Sequence, residues 1–150
     1  MACRGAGIKY GCKYKYGANK ANLEKVCSLL KECKTYYLAT DDGGRPRVRP
    51  FGTAHIFEGK LYIQTGNFKQ VYKQMKKNPK IEISGMIGER WFRIEANAVE
   101  DDRAAAKASM RDAYPELKSI YDTDNTAVFY LADVVATVYS FTEEPEVYKF

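Results

Sequence analysis

Two arginines spaced two apart, a Thr-Gly-Asn turn and a following lysine are the residues of this chain best suited to chemistry. Arg47 and Arg49 lie in the run Arg45-Pro46-Arg47-Val48-Arg49-Pro50-Phe51. Thr65-Gly66-Asn67-Phe68-Lys69 follows the apolar run Leu61-Tyr62-Ile63-Gln64. These types suit an anion, a phosphate above all. A helix opening after the Thr-Gly-Asn turn offers free N–H groups and a partial positive charge. Thr65 adds a hydroxyl donor, Lys69 a point charge, and Arg47 or Arg49 a planar fork that meets phosphate oxygens in pairs. The plain alternative is a solvated lysine helix beside two surface arginines.

The elements that must position these groups can be read from periodicity. Leu23, Val26, Cys27, Leu29 and Leu30 have helical spacing, which predicts a helix over Asn22–Cys33 capped by Asn22 or Asn19. Thr35–Thr40 is aromatic and β-branched, a strand, and Asp41-Asp42-Gly43-Gly44 is a hairpin turn by its chemistry. Arg45–Phe57 reads as one long strand whose alternation puts Arg47, Arg49, Phe51, Thr53, His55 and Phe57 on one face. Pro46 and Pro50 cannot donate ladder hydrogen bonds, so this strand is an edge or an interruption, and the backbone at Pro50, Phe51 and Gly52 is open to a ligand. Lys60–Thr65 is a further strand. Phe68, Val71, Tyr72 and Met75 give a helix that Asn78-Pro79 ends.

Strands follow at Lys80–Met86 and Glu89–Glu100. A helix over Asp101–Ala113 is capped by Asp101 or Asp102, and Glu116–Tyr121 is a short helix. Two strands, Ala127–Leu131 and Val134–Phe141, precede a polar tail. About seven strands joined by tight turns or single helices predict a mostly β, mostly antiparallel barrel with short helices at its ends.

At 150 residues the chain has the size of one domain, 1–150, with the Gly-, Tyr- and Lys-rich residues 1–20 as an irregular arm. In that arm Tyr10, Tyr14 and Tyr16 alternate with lysines, a pattern that can also stack on bases. Its lack of an apolar h-region argues against a secretory signal, and no apolar run has the length of a membrane span, so a cytoplasmic location is expected. The net charge of +5 concentrates in Arg4–Lys20 and Lys60–Lys80, which both lack acids. Such a surface suits nucleic acid, an anionic membrane or a phosphorylated ligand.

Cys3, Cys12, Cys27 and Cys33 match no C-x-x-C or zinc-ribbon spacing and are read as reduced thiols without a metal. His55, the one histidine, is either a base or ligand or a packed strand residue. Trp91 is either core or the cover of a planar ligand. No dinucleotide fingerprint, P-loop or G-x-S-x-G elbow is present.

The order Tyr37-Leu38-Ala39-Thr40, Asp42-Gly43-Gly44, Arg45-Pro46-Arg47-Val48-Arg49-Pro50-Phe51, Leu61-Tyr62-Ile63-Gln64-Thr65, Lys69 and Asn78-Pro79 resembles the pyridoxamine 5′-phosphate oxidase-like flavoproteins. The resemblance covers Lys34–Val99 and implies a split β-barrel, a homodimer, and FMN at the subunit interface. It implies that Arg49 and Lys69 contact the FMN phosphate, with Asn67 able to substitute in a phosphate turn of different shape. Backbone at Pro50, Phe51 and Gly52 would run along the ring. Gln64 and Thr65 would contact ring, ribityl chain or phosphate, and Trp91 stands where the family often has a ring-contacting glutamine.

Phe68 replaces a basic residue of the oxidase proper, and Glu143–Phe150 lacks its C-terminal Trp-Arg-Leu-type segment. The chain is therefore more similar to the short bacterial branch that includes the nitroimidazole-resistance reductases. The resemblance implies an oxidoreductase in which reduced flavin passes electrons to a small organic acceptor. The flavin carries that chemistry, so no catalytic side chain is named, and Arg47 is expected to stabilise an anionic reduced flavin. The alternatives are a non-catalytic flavin- or haem-binding split barrel and, last, a nucleic-acid binder.

Overall fold

Strand order decides the shape of this protein. The computed structural model describes residues 7–150, with side chains from residue 19 onward. Its elements are α1 (Gly7–Cys33), β1 (Tyr36–Asp42), β2 (Arg45–Phe51), β3 (His55–Phe57), β4 (Lys60–Gly66), α2 (Gln70–Lys77), β5 (Lys80–Ile87), β6 (Arg90–Glu100), α3 (Ala104–Ala113), a 3-10 turn (Pro115–Leu117), β7 (Thr126–Tyr139) and β8 (Glu146–Lys149). Every strand pair is antiparallel. The order across the sheet is β2-β1-β5-β6-β7-β4-β3, with β8 also paired to β7.

β2 and β3 are thus the two edges of the sheet, yet only Gly52, Thr53 and Ala54 separate them in sequence. A flat sheet with that order would be roughly 29 Å wide at ordinary strand spacing. The chain from Phe51 to His55 reaches at most about 14 Å. The sheet must therefore curl until its edges nearly meet, and the result is a barrel split along the line between β2 and β3.

The expected single strand Arg45–Phe57 is corrected by this geometry. Its alternation continues through residues 52–54, but its halves pair at opposite edges, Phe51 with Tyr36 of β1 and His55 with Tyr62 of β4. Pro46 and Pro50 indeed lie on an edge strand, where a missing N–H costs no ladder bond. The β1–β2 turn is Gly43-Gly44, with φ of +61° and +92°, values that glycine adopts without strain.

Expected breaks also moved elsewhere. The two predicted C-terminal strands are one, β7, with a bulge at Asp133 (φ +52°) where the register on β6 shifts between Glu95 and Asn97. The bulge bends β7 so that its first half pairs with β4 and its second with β8. The tail, read as polar except for Val147, Tyr148 and Phe150, supplies β8. The first helix extends back to Gly7, into the segment read as an arm. Residues 1–6, the side chains of Tyr10, Tyr14 and Tyr16, and Cys3 and the Cys12 thiol lie outside the described residues.

The barrel interior is filled by alternate strand residues: Leu38, Ile63, Ile83, Phe92, Ile94, Phe129, Ala136 and Val138. Leu23, Val26, Leu29 and Leu30 of α1 join this core, as do Val71 and Met75 of α2. A second, smaller cluster sets Ala106 and Met110 of α3 on Tyr62 and Val128 outside the barrel. The α3 cap is Arg103 with no side-chain cap bond, contrary to the expected Asp101 or Asp102. Asp101 instead is buried, accepting from the Tyr62 hydroxyl at 2.8 Å and from Arg103 Nη2 at 2.8 Å.

Two stability predictions follow from this packing. An ideal Cβ on Gly85 would fall 2.6 Å from Cζ of the cross-strand Phe92 and 3.3 Å from Cys33 Sγ. The Phe92 ring is fully buried, so it has nowhere to swing. Gly85→Ala should destabilise the fold by about 1–3 kcal/mol despite the entropy alanine removes from the unfolded chain. A lower urea midpoint with an unchanged slope is the expected result.

The second concerns pH. The hydrogen bonds from Arg103, then those from Tyr62, hold the Asp101 carboxyl well below the usual carboxylate range. A depressed folded pKa gives stability that is present above about pH 4 and lost as pH falls below it. Burial, then Asp101, pushes the Tyr62 phenol up to about 12. That contribution is present below about pH 10 and lost as pH rises towards 12. Chemical denaturation across pH should show Asp101→Asn with a flatter acid limb than the wild type.

Candidate functional site

The split between β2 and β3 opens into a cavity of about 380 Å³. One wall is the backbone of Pro50, Phe51, Gly52 and Thr53, and beside it lie Gln64 and Thr65 of β4, Lys69 and Val71. Thr35 and the segment from Tyr114 to Tyr121 complete it.

The wall at residues 52–54 has no strand partner, so side chains must satisfy it. Tyr36 donates its hydroxyl to Thr53 O at 2.6 Å, and Thr53 Oγ1 accepts the Gln64 N–H at 2.9 Å. The Tyr114 hydroxyl accepts from Ala54 N and donates to Ala54 O, both at 2.9 Å. Three side chains thereby replace the ladder that β2 and β3 lack, and the wall stays extended and fixed.

Arg49 projects from the edge strand into this space. Its Nη1 donates to Thr40 Oγ1 at 2.8 Å and to Leu38 O at 3.2 Å, and its Nη2 donates to Gln74 Oε1 at 2.6 Å. Gln74 Oε1 also accepts from Thr40 Oγ1 at 2.6 Å. The guanidinium is thus oriented before any ligand arrives. Burial, then the neighbouring Arg47, lowers its pKa, but an arginine starts so high that it remains charged. Gln64 is buried, and its Oε1 has no hydrogen-bond partner among the described residues. A buried acceptor left unpaired costs about 1–3 kcal/mol, so this oxygen calls for a donor that the described residues do not supply.

Lys69 stands at the entrance of α2 as its N-cap, one residue before the helix and not in its first turn as expected. Its ammonium donates to the Tyr121 hydroxyl at 2.6 Å. α2 has no side-chain cap and no acid in its first turn, so its N-terminal N–H groups keep their pull on anions. Phe68, expected on the apolar stripe, is exposed, and its ring lies over Gly66, where a Cβ would collide at 2.4 Å.

Arg49, Pro50, Phe51, Gly52, Gln64, Thr65 and Lys69 are brought together around one cavity. Asn67, Trp91 and Arg47, also expected at the site, do not line this cavity. Asn67 points away: its N–H and Nδ2 donate to Asn125 O and Asp124 O, both at 2.9 Å. Trp91 lies on the outer sheet face, stacked on Tyr139 at 5.7 Å and against Phe141 at 5.0 Å. Arg47 is exposed and paired with Asp42 at 3.1 Å, outside the cavity lining.

The Tyr114–Tyr121 wall escaped the sequence reading because nothing local ties it to residues some fifty positions earlier. The tyrosines bracketing a short Pro-started turn were the one available signal. His55, half-buried, lies 2.7 Å from Ser109 Oγ, and burial, then Lys31, lowers its pKa. It is a packed strand histidine outside the cavity lining.

A family model described as pyridoxamine 5′-phosphate oxidase matches residues 23–132. No curated protein matches the chain. Among solved structures, a NimC/NimA family protein from Clostridium acetobutylicum is 40% identical, over 89% of this chain and 96% of that one, with a TM-score of 0.86. General Stress Protein 26 from Bacillus anthracis str. Sterne is 12% identical over 87% and 98% of the two chains, TM-score 0.66. A heme binding protein from Mycobacterium smegmatis is 15% identical over 88% of this chain and 57% of that one, TM-score 0.61. These last two share the fold. The matched span runs from α1 through the split and its cavity to β7, and on that ground the chain belongs to the pyridoxamine 5′-phosphate oxidase family, as a split-barrel protein similar to the NimC/NimA branch.

Proposed function

We propose that this protein binds FMN in the cavity along the split and uses it as an oxidoreductase, passing electrons from reduced flavin to a small organic acceptor. The observation that carries this reading is the combination in one cavity of two cations, Arg49 and Lys69, with the unpartnered buried Gln64 Oε1. The residues fit the group. Arg49 and Lys69 would hold the phosphate, one as an oriented fork and one as a point charge. Thr65 would add a hydroxyl. Gln64 Oε1 would accept from a ring or ribityl donor. The fixed backbone of Pro50, Phe51 and Gly52 would lie along the flat ring and keep water from it.

Bound there, FMN supplies two-electron redox chemistry with a hydride donor and an organic acceptor. No side chain of the cavity is assigned a proton-transfer role. The haem reading finds less support: among the described residues no histidine, cysteine or methionine lines the cavity, and its tyrosines, Tyr114 and Tyr121, already bond Ala54 and Lys69.

The same proposal includes a homodimer. Tyr37, Ser84, Arg93, Thr137 and Val147 form one cross-strand row on the outer sheet face, and Met86, Trp91 and Tyr139 form the next. Tyr37, Val48, Met86, Phe141 and Val147 are all more than half exposed. An exposed apolar sheet face of this extent marks a protein contact. Trp91, on that face, would then meet the partner's flavin and not its own. No helix among the described residues is long and apolar enough to cross a membrane, in keeping with a cytoplasmic enzyme. Nucleic acid is not needed to explain Lys69, the lysine at the entrance of α2, which lines the cavity.

The purified protein should be yellow and release FMN on denaturation; a colourless protein that also fails to quench added FMN fluorescence overturns the proposal. Arg49→Ala should weaken FMN binding by roughly ten- to a hundredfold, the loss of a charge-assisted pair. Light scattering should give a dimer, and Met86→Arg should shift it towards monomer and weaken FMN retention. A wild-type monomer that holds FMN fully would remove the dimer from the proposal.

A further inference from the structure

Asn67 was expected at the phosphate, yet its backbone N–H and its side-chain amide both donate to the loop before β7. That loop is rigid in its own right. Asp122 Oδ1 accepts from the N–H groups of Asp124 and Asn125, both at 2.9 Å, and Asn125 Oδ1 accepts from Asp122 N at 2.9 Å. At the head of the loop stands Tyr121, whose hydroxyl accepts from Lys69 Nζ at 2.6 Å and whose ring lies 5.1 Å from the same ammonium. The turn from Gly66 to Lys69 and the loop from Tyr121 to Asn125 are thus bolted together twice, once by Asn67 and once through Lys69.

We propose that Tyr121 is a positioning residue that holds the Lys69 ammonium at the phosphate end of the cavity, and that Asn67 keeps Tyr121 in place. This rests on the FMN reading above. The chemistry is that of a long, flexible cation. A free lysine side chain samples many rotamers, and a ligand that captures it must bear the cost of ordering it. Tyr121 orders it in advance. The ammonium has three donors, so one bond to Tyr121 leaves two for phosphate oxygens. Tyr121 therefore guides the lysine without competing for the ligand. Its place in the cavity lining beside Lys69 agrees with that role.

The test compares FMN with riboflavin, which lacks the phosphate, by fluorescence-quench titration of the full chain. Tyr121→Phe keeps the ring and removes the acceptor. It should lower FMN affinity by about three- to tenfold while leaving riboflavin affinity unchanged. Asn67→Ala should lower the same FMN-to-riboflavin ratio, and Lys69→Ala should abolish the effect of Tyr121→Phe in the double variant. Equal losses for both flavins would show a merely structural role and overturn the inference, as would an unchanged ratio in both single variants. A wild-type chain that binds neither flavin removes the FMN reading itself, a result distinct from flavin binding with an unmoved ratio.

Discussion

Three residues joining the two opposite edges of the sheet are the constraint on which the rest of the structure depends. Gly52, Thr53 and Ala54 are too short a link to cross a flat sheet, so curvature is imposed by connectivity and not only by strand twist. Closure by a covalent link differs from closure by hydrogen bonds. It brings the edges close and leaves them unpaired. Both the cavity and the need to satisfy its wall follow from that difference. Tyr36, Thr53 and Tyr114, from three separate parts of the chain, meet the need.

The same constraint explains the division of labour among the surrounding elements. α1 and α2 contribute to the barrel core, whereas α3 packs outside on β4 and β7 and delivers Tyr114 at its C-terminal end. α2 is short, uncapped and free of acids in its first turn, which leaves it poor in intrinsic stability but attractive to anions. Its Gln74 instead serves the site by fixing Arg49. The helix therefore holds the arginine from its middle turn while Lys69 stands at its N-terminal end.

Much of this was legible in the sequence because period-2 alternation and Gly, Pro and Asn punctuation are local signals. The β1–β2 hairpin, β4, α2, β5 and β6 lie within a residue or two of where those signals put them. What stayed hidden was nonlocal. Alternation passes through residues 52–54 unbroken, because an extended link and a strand have the same side-chain period; only pairing distinguishes them. The break expected between Leu131 and Val134 is a bulge at Asp133, and a bulge and a strand end both suit a residue that tolerates positive φ. In the site, the cations and the backbone edge were readable from one stretch. The tyrosine wall and the true partners of Asn67 were not, since they depend on which distant loop the fold sets opposite.

The two hydrogen bonds between the Tyr114 hydroxyl and Ala54 have a mechanical consequence. A single phenol stands in for one residue of a missing strand, so the covalent link between the two edges is braced at that point by a side chain and not by a ladder. A closed ladder breaks only by unravelling from an end, bond after bond. This ring has a clasp, and the clasp belongs to the same segment that walls the cavity. The link that closes the barrel and the wall that shapes the split are therefore fastened by one hydroxyl, so neither can be altered at Tyr114 without the other.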